Sequence, residues 1–133
     1  MSGYLLDTSA FLILGLERSL APSGLLARLA QGARYVTQVS AIEIAIKFGI
    51  GKLALPPPFH TSFSHAFDRM VSEFEADLLG IDMRHIEQLS RLPLRHRDPF
   101  DRLIISQALA EELTVVTRDR VFATYDGLQV IEI

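Results

Sequence analysis

Short apolar runs recur along this chain between longer stretches of helical periodicity, and that alternation restricts the fold more than any other feature. Residues 3–7, 34–37 and 77–81, the segment "LTVVTRD" and the closing "LQVIEI" are too short for helices and read as buried strands. Between them lie helical patterns. Ser9 is expected to cap a first short helix ending near Gly15, and "PSGLLARLAQGARYV" carries a second through Leu25, Leu26 and Leu29, closed near Gly32. "SAIEIAIKFGIGKL" keeps apolar residues at 42, 46 and 50 and stops at Gly49 and Gly51. Further helices are expected over roughly 60–75 and 83–91, and from Asp98 onward with Pro99 in the first turn. Strands separated by helices demand crossover connections, so the expected class is α/β, a mostly parallel central sheet with helices on both faces. "LALPPPF" is a rigid joint, and with 133 residues the chain is expected to form a single domain over 1–133.

In "YLLDTSAFLIL" the carboxylate of Asp7 interrupts an apolar stretch, and burying an unpaired carboxylate costs several kcal/mol. Ligands of open parallel sheets bind outside the carboxyl ends of the strands. Asp7 ends the first strand, and Asp119 lies at or past the end of "LTVVT". Glu43 falls in the expected first turn of a helix, and Asp98 and Asp101 begin another; helices that follow parallel strands start at the same edge. All these acids can therefore reach one rim. Taken singly, each has a plainer role: "SAIE" matches a capping box with Ser40 as cap, Asp98 suits a helix cap, Asp101 the helix dipole, and Asp119 a turn. For Asp7, whose apolar flanks offer no obvious partner, that role is an Asx-type turn with Thr8 and Ser9. Together they repel unless a divalent cation relieves them, and carboxylate oxygens suit Mg²⁺ or Mn²⁺. Such an ion activates water and stabilises charge on a phosphoryl oxygen.

Composition narrows the alternatives. There is no cysteine, which removes disulfides and thiolate metal sites. A net charge of −3 advertises no global basic surface for nucleic acid, although a local patch suffices. The opening run lacks a basic start and no apolar run is long enough to span a bilayer, so a cytoplasmic protein without a membrane partner is expected. A receiver domain needs an acidic pair after its first strand, and a haloacid-dehalogenase-type phosphatase needs an aspartate where Ser9 stands.

The blocks "LLDTSAFL", "VSAIEIAIKFGIGKL", "HRDPFDRLIISQAL" and "LTVVTRDRVFATY" resemble, in order and over nearly the whole chain, those of PIN-domain ribonucleases. More narrowly they resemble VapC-type toxins of type II toxin–antitoxin systems. The resemblance implies a PIN-like fold and a Mg²⁺ or Mn²⁺ site. Asp7, Glu43, Asp101 and Asp119 match the catalytic and metal-binding acids. Asp98 is read mainly as a cap, with a supporting role shared by the hydroxyls of Thr8, Ser9 and Thr117. The implied activity is metal-dependent endonucleolytic cleavage of structured RNA, tRNA or rRNA, by metal-activated water. A VapB-type antitoxin and a homodimer are the implied partners. The alternative is a catalytically silent PIN-like module that binds a protein or RNA.

Among Arg84, Arg91, Arg95, Arg97 and Arg102, the favoured RNA contacts are Arg95 and Arg97, which precede the acids in a loop. Lys47, one turn beyond Glu43, reads as its ion-pair partner. The histidines at 60, 65, 85 and 96 show no metal-ligand spacing and read as surface or hydrogen-bonded residues. Phe59, Phe63, Phe67 and Phe74 keep roughly helical spacing, as core or as a partner face.

Overall fold

The computed structural model describes residues 3–133. Its strands are β1 (Gly3–Leu6), β2 (Ala33–Thr37), β3 (Asp77–Leu79), β4 (Thr114–Thr117) and β5 (Val130–Glu132). They form one sheet in the order β3-β2-β1-β4-β5, and every pairing is parallel. The helices are α1 (Thr8–Leu16), α2 (Leu25–Leu29), α3 (Gln38–Gly49), α4 (Pro58–Thr61), α5 (Phe63–Glu73), α6 (Met83–Ser90) and α7 (Pro99–Glu111). No helix among the described residues is long and apolar enough to cross a membrane.

Two apolar layers follow from the two-residue period of the strands. Leu6, Val36 and Val116 face one cluster with Phe11, Ile44, Phe59, Phe67 and Phe74. Leu5 and Val115 face the other, with Ile104, Ile105, Phe122 and Tyr125. The phenylalanine series is therefore core, tied through Phe63 stacked on Phe67 and Phe11 tilted on Phe67. Each such fully buried side chain contributes about 1.5–3 kcal/mol relative to exposure.

Several helix boundaries differ from the sequence reading, and each has a local cause. Asp7, not Ser9, caps α1, because its carboxylate accepts the Ala10 amide at 2.9 Å. The helix ends at Leu16, beside Gly15 as expected, and a β-carbon on Gly15 would collide with the end of Met70, so that glycine also admits a neighbouring helix. Thr37 caps α3 through the Val39 amide, and Ser40 lies buried inside that helix; the expected capping box does not form. The expected helix over 60–75 is two helices, α4 and α5, broken where Ser62 turns extended and caps the second. The second helix is short, confined to Leu25–Leu29.

Candidate active site

The strand order changes direction at β1, which passes to β2 on one side and lies against β4 on the other. A crevice opens at the carboxyl edge of such a switch point. Here the crevice is a cleft of about 540 Å³ lined by Asp7, Glu43, Asp98, Asp101 and Asp119, with Lys47 and Arg118 as its cations. The sequence-predicted acids thus meet, although they come from β1, α3, the start of α7 and the turn after β4.

The backbone delivers Asp7 first. Leu6 pairs with Val116, and the Asp7 amide donates to the Val116 carbonyl at 3.0 Å, setting Asp7 beside Thr117. Thr117 then serves two acids. Its hydroxyl donates to Asp7 Oδ2 at 2.5 Å and accepts the Asp119 amide at 2.9 Å. Asp7 Oδ1 takes the Ala10 amide and the Ser9 hydroxyl, so its partners are partly local after all. Burial pushes the Asp7 carboxyl up; the hydrogen bonds from Thr117, Ala10 and Ser9 work against that, and the Asp119 charge works with it.

Glu43 sits one turn deeper in α3 than expected, because the helix begins at Gln38. It is buried, and Thr8 donates its hydroxyl to Oε1 at 2.7 Å while lying 2.9 Å from the Ser40 hydroxyl. Lys47 Nζ donates to Glu43 Oε2 at 2.5 Å, the expected ion pair, and also lines the cleft. That hydrogen bond holds the Lys47 ammonium above its ordinary range.

Asp98 caps α7 as expected, Oδ1 accepting the amides of Phe100 and Asp101, and the same residue lines the cleft. Asp101 stands in the first turn of that helix. Burial, reinforced by the charges of Asp98 and Asp7, pushes its carboxyl to about 7, against the opposing effect of His96. Half-buried acids that repel one another in this way are the donor set that a hard divalent cation fits.

The residue that the sequence reading did not single out is His96. Its Nε2 lies 2.7 Å from Asp119 Oδ2 and 3.1 Å from Asp101 Oδ2. No ligand spacing could flag it, because both contacts come from tertiary structure. Arg118, also missed, enters the cleft wall from the middle of "TRD". Of the arginines considered, Arg84 pairs with Asp82 and Glu111, and Arg91 with Glu87. Arg102 binds backbone carbonyls rather than an acid. Arg95 and Arg97 are exposed on either side of His96 and do not line the cleft.

Comparison with curated protein sequences found no match. Solved structures of the same fold include VapBC2 from Rickettsia felis bound to a DNA fragment from its promoter. That match has a TM-score of 0.74 at 16% identity, covering 98% of each chain. DNA-bound VapBC from Salmonella typhimurium matches with a TM-score of 0.70 at 18% identity, over 99% of this chain and 98% of that one. VapBC-5 from Mycobacterium tuberculosis matches at 0.61 and 22% identity, over 100% of both. The PIN domain family model matches residues 4–128, a span that contains every acid of the cleft. A parallel sheet with an acidic crevice at its switch point is thus accompanied by the family's own sequence pattern, and the chain belongs to the PIN domain family.

Proposed function

We propose that this chain is a metal-dependent endoribonuclease toxin of the VapC type, acting in the cytoplasm as a single PIN unit on structured RNA and inhibited by a VapB-type antitoxin. The observation that carries the reading is the convergence of Asp7, Glu43, Asp101 and Asp119 in one cleft. Asp7 and Asp101 are the principal holders of Mg²⁺ or Mn²⁺, with Glu43 and Asp119 completing the set and Asp98 beside them. A bound divalent ion supplies an activated water and neutralises charge at a phosphate.

The chain's own residues do the remaining work. Thr117, Thr8 and Ser9 orient the carboxylates of Asp7 and Glu43 through their hydroxyls. Lys47 and Arg118 place positive charge where an RNA phosphate enters an otherwise acidic cleft, and exposed Arg95 and Arg97 extend that charge along the neighbouring loop. The antitoxin assignment draws support from the VapBC structures that share this fold, and the homodimer follows from the family resemblance. An apolar row of Ile42 and Ile46 on α3 and Ile50 at its C-cap, all exposed, also supports association.

The test is incubation of the purified, antitoxin-free chain with total RNA in Mg²⁺ or in EDTA. Cleavage in Mg²⁺ alone, lost in Asp7→Asn, is expected. Equal cleavage with the chelator or by the variant refutes the site. No cleavage together with tight partner binding points instead to the catalytically silent module. In cells, growth arrest on induction, relieved by Asp101→Asn, is expected of a toxin.

A further inference from the structure

The loop between α6 and α7 is held from both sides. Arg102 donates to the carbonyls of Leu92, Pro93 and His96 at 3.2, 3.0 and 3.4 Å. From the other side, the Tyr125 hydroxyl accepts the amides of Arg95 and His96 at 3.1 and 2.8 Å. The His96 ring then stands edge-on to Phe122, with centroids 5.7 Å apart and planes at 89°. Backbone and ring are therefore fixed by groups outside the acidic cluster.

One further contact assigns the proton. The Asp98 amide donates to His96 Nδ1 at 3.1 Å, which uses the lone pair of that nitrogen and leaves the ring proton on Nε2. Nε2 faces Asp119 Oδ2 and Asp101 Oδ2. We propose that His96 is a positioning residue of the candidate active site: a fixed Nε2–H donor that holds the Asp119 carboxylate, with Asp101 Oδ2 3.1 Å from the same nitrogen, and not a ligand of the metal. Its functional consequence rests on the metal-nuclease reading, whereas its geometry does not.

The competing arrangement is specific. His96, Asp101 and Asp119 each offer a ligand atom within 4.8 Å of the others, which is close enough for a shared ion. For Nε2 to ligate, however, the ring proton must move to Nδ1, where it would confront the Asp98 amide proton. The loop anchors and Phe122 prevent the ring from turning away. With the proton on Nε2, Asp119 Oδ2 accepts it at 2.7 Å, and Asp119 Oδ1 is already taken by the Val121 amide at 2.9 Å. Asp119 is thereby held at both oxygens, with Asp101 Oδ2 beside the same ring nitrogen.

Long-range proton–nitrogen correlation spectra of the metal-free full chain read the tautomer directly. A protonated Nε2 with a bare Nδ1 is expected, and the opposite tautomer overturns the assignment. Titration with Mn²⁺ followed by pulsed electron paramagnetic resonance then separates donor from ligand. No directly bound nitrogen is expected in the wild type. Mn²⁺ affinity should fall about tenfold in His96→Phe and recover to within about threefold in His96→Gln, whose amide N–H replaces the donor. A nitrogen coupling that vanishes in His96→Phe, or unchanged affinity in a folded His96→Phe, overturns the proposal. Should His96→Phe not fold, the tautomer and the wild-type nitrogen coupling still decide it. A wild-type chain that binds no Mn²⁺ and cleaves no RNA refutes the nuclease reading instead, and the metal-free spectrum then decides the role of His96 by itself.

Discussion

Replacing Asp101 with asparagine should weaken the proposed metal site and at the same time stabilise the metal-free protein at alkaline pH. The Asp101 carboxyl moves from its ordinary 3.8 to about 7, with burial as the first cause and the Asp98 and Asp7 charges next. A shift of that size corresponds to about 4 kcal/mol as an upper bound. The side chain keeps 20% of its exposure, and solvent screening brings the expected effect to about 2 kcal/mol. Because the folded-state value is raised, the folded protein keeps a proton that the unfolded chain has already released. Stability from this group is therefore complete below about pH 4, is lost as pH rises through about 7, and is absent above. Asparagine is neutral throughout and nearly the same size and shape. Urea denaturation in EDTA at pH 4 and pH 8 measures the difference. Asp101→Asn should match or fall slightly below the wild type at pH 4 and exceed it by about 2 kcal/mol at pH 8. Added Mg²⁺ at a hundredfold excess over its dissociation constant should restore about 2.7 kcal/mol to the wild type and much less to the variant. The reasoning is refuted if the variant gains nothing at pH 8, or if the gap between the two proteins is the same at both pH values.

Thr117→Val preserves shape but removes the donor to Asp7 Oδ2, so the Asp7 carboxyl should rise further and the pH of half-maximal Mn²⁺ binding should move upward; an unchanged binding profile would contradict the assigned contact. Tyr125→Phe leaves the amides of Arg95 and His96 without their shared acceptor and should cost about 1–2 kcal/mol in urea unfolding, with faster hydrogen exchange at both amides. Glu112→Gly should raise stability by about 0.5–1 kcal/mol in the same assay, because Glu112 ends α7 with φ of 56°, a left-handed conformation that glycine adopts without strain.

Much of this arrangement is legible in the sequence because it depends on where strands stop. Asp7 and Asp119 follow short apolar runs, and Asp98 and Asp101 open a strongly patterned helix, so the parallel-sheet rule alone brings them to one edge. Glu43 was legible by pattern, yet its depth in α3 was not. Thr37 and Ser40 both carry hydroxyls that could cap, and the choice fell to Thr37 because β2 runs straight into the helix. The break at Ser62 was hidden by the helical spacing of the phenylalanines on either side of it. His96 could not be found from spacing at all. Its place among the acids depends on Arg102, Tyr125 and Phe122, which the chain supplies from two other elements.

The pairing of β1 with β4 has a consequence for synthesis. Leu6 meets Val116 across the middle of the sheet, and Asp7 Oδ2 takes its hydroxyl donor from Thr117, so β1 waits for β4, which is made long after it. A nascent chain that has not yet released residues 114–119 from the ribosome has an open edge at β1, lacks Asp119 and leaves Asp7 Oδ2 without its donor. If the folded protein cuts RNA, the translating ribosome is thereby shielded from its own product until residues 114–119 have emerged.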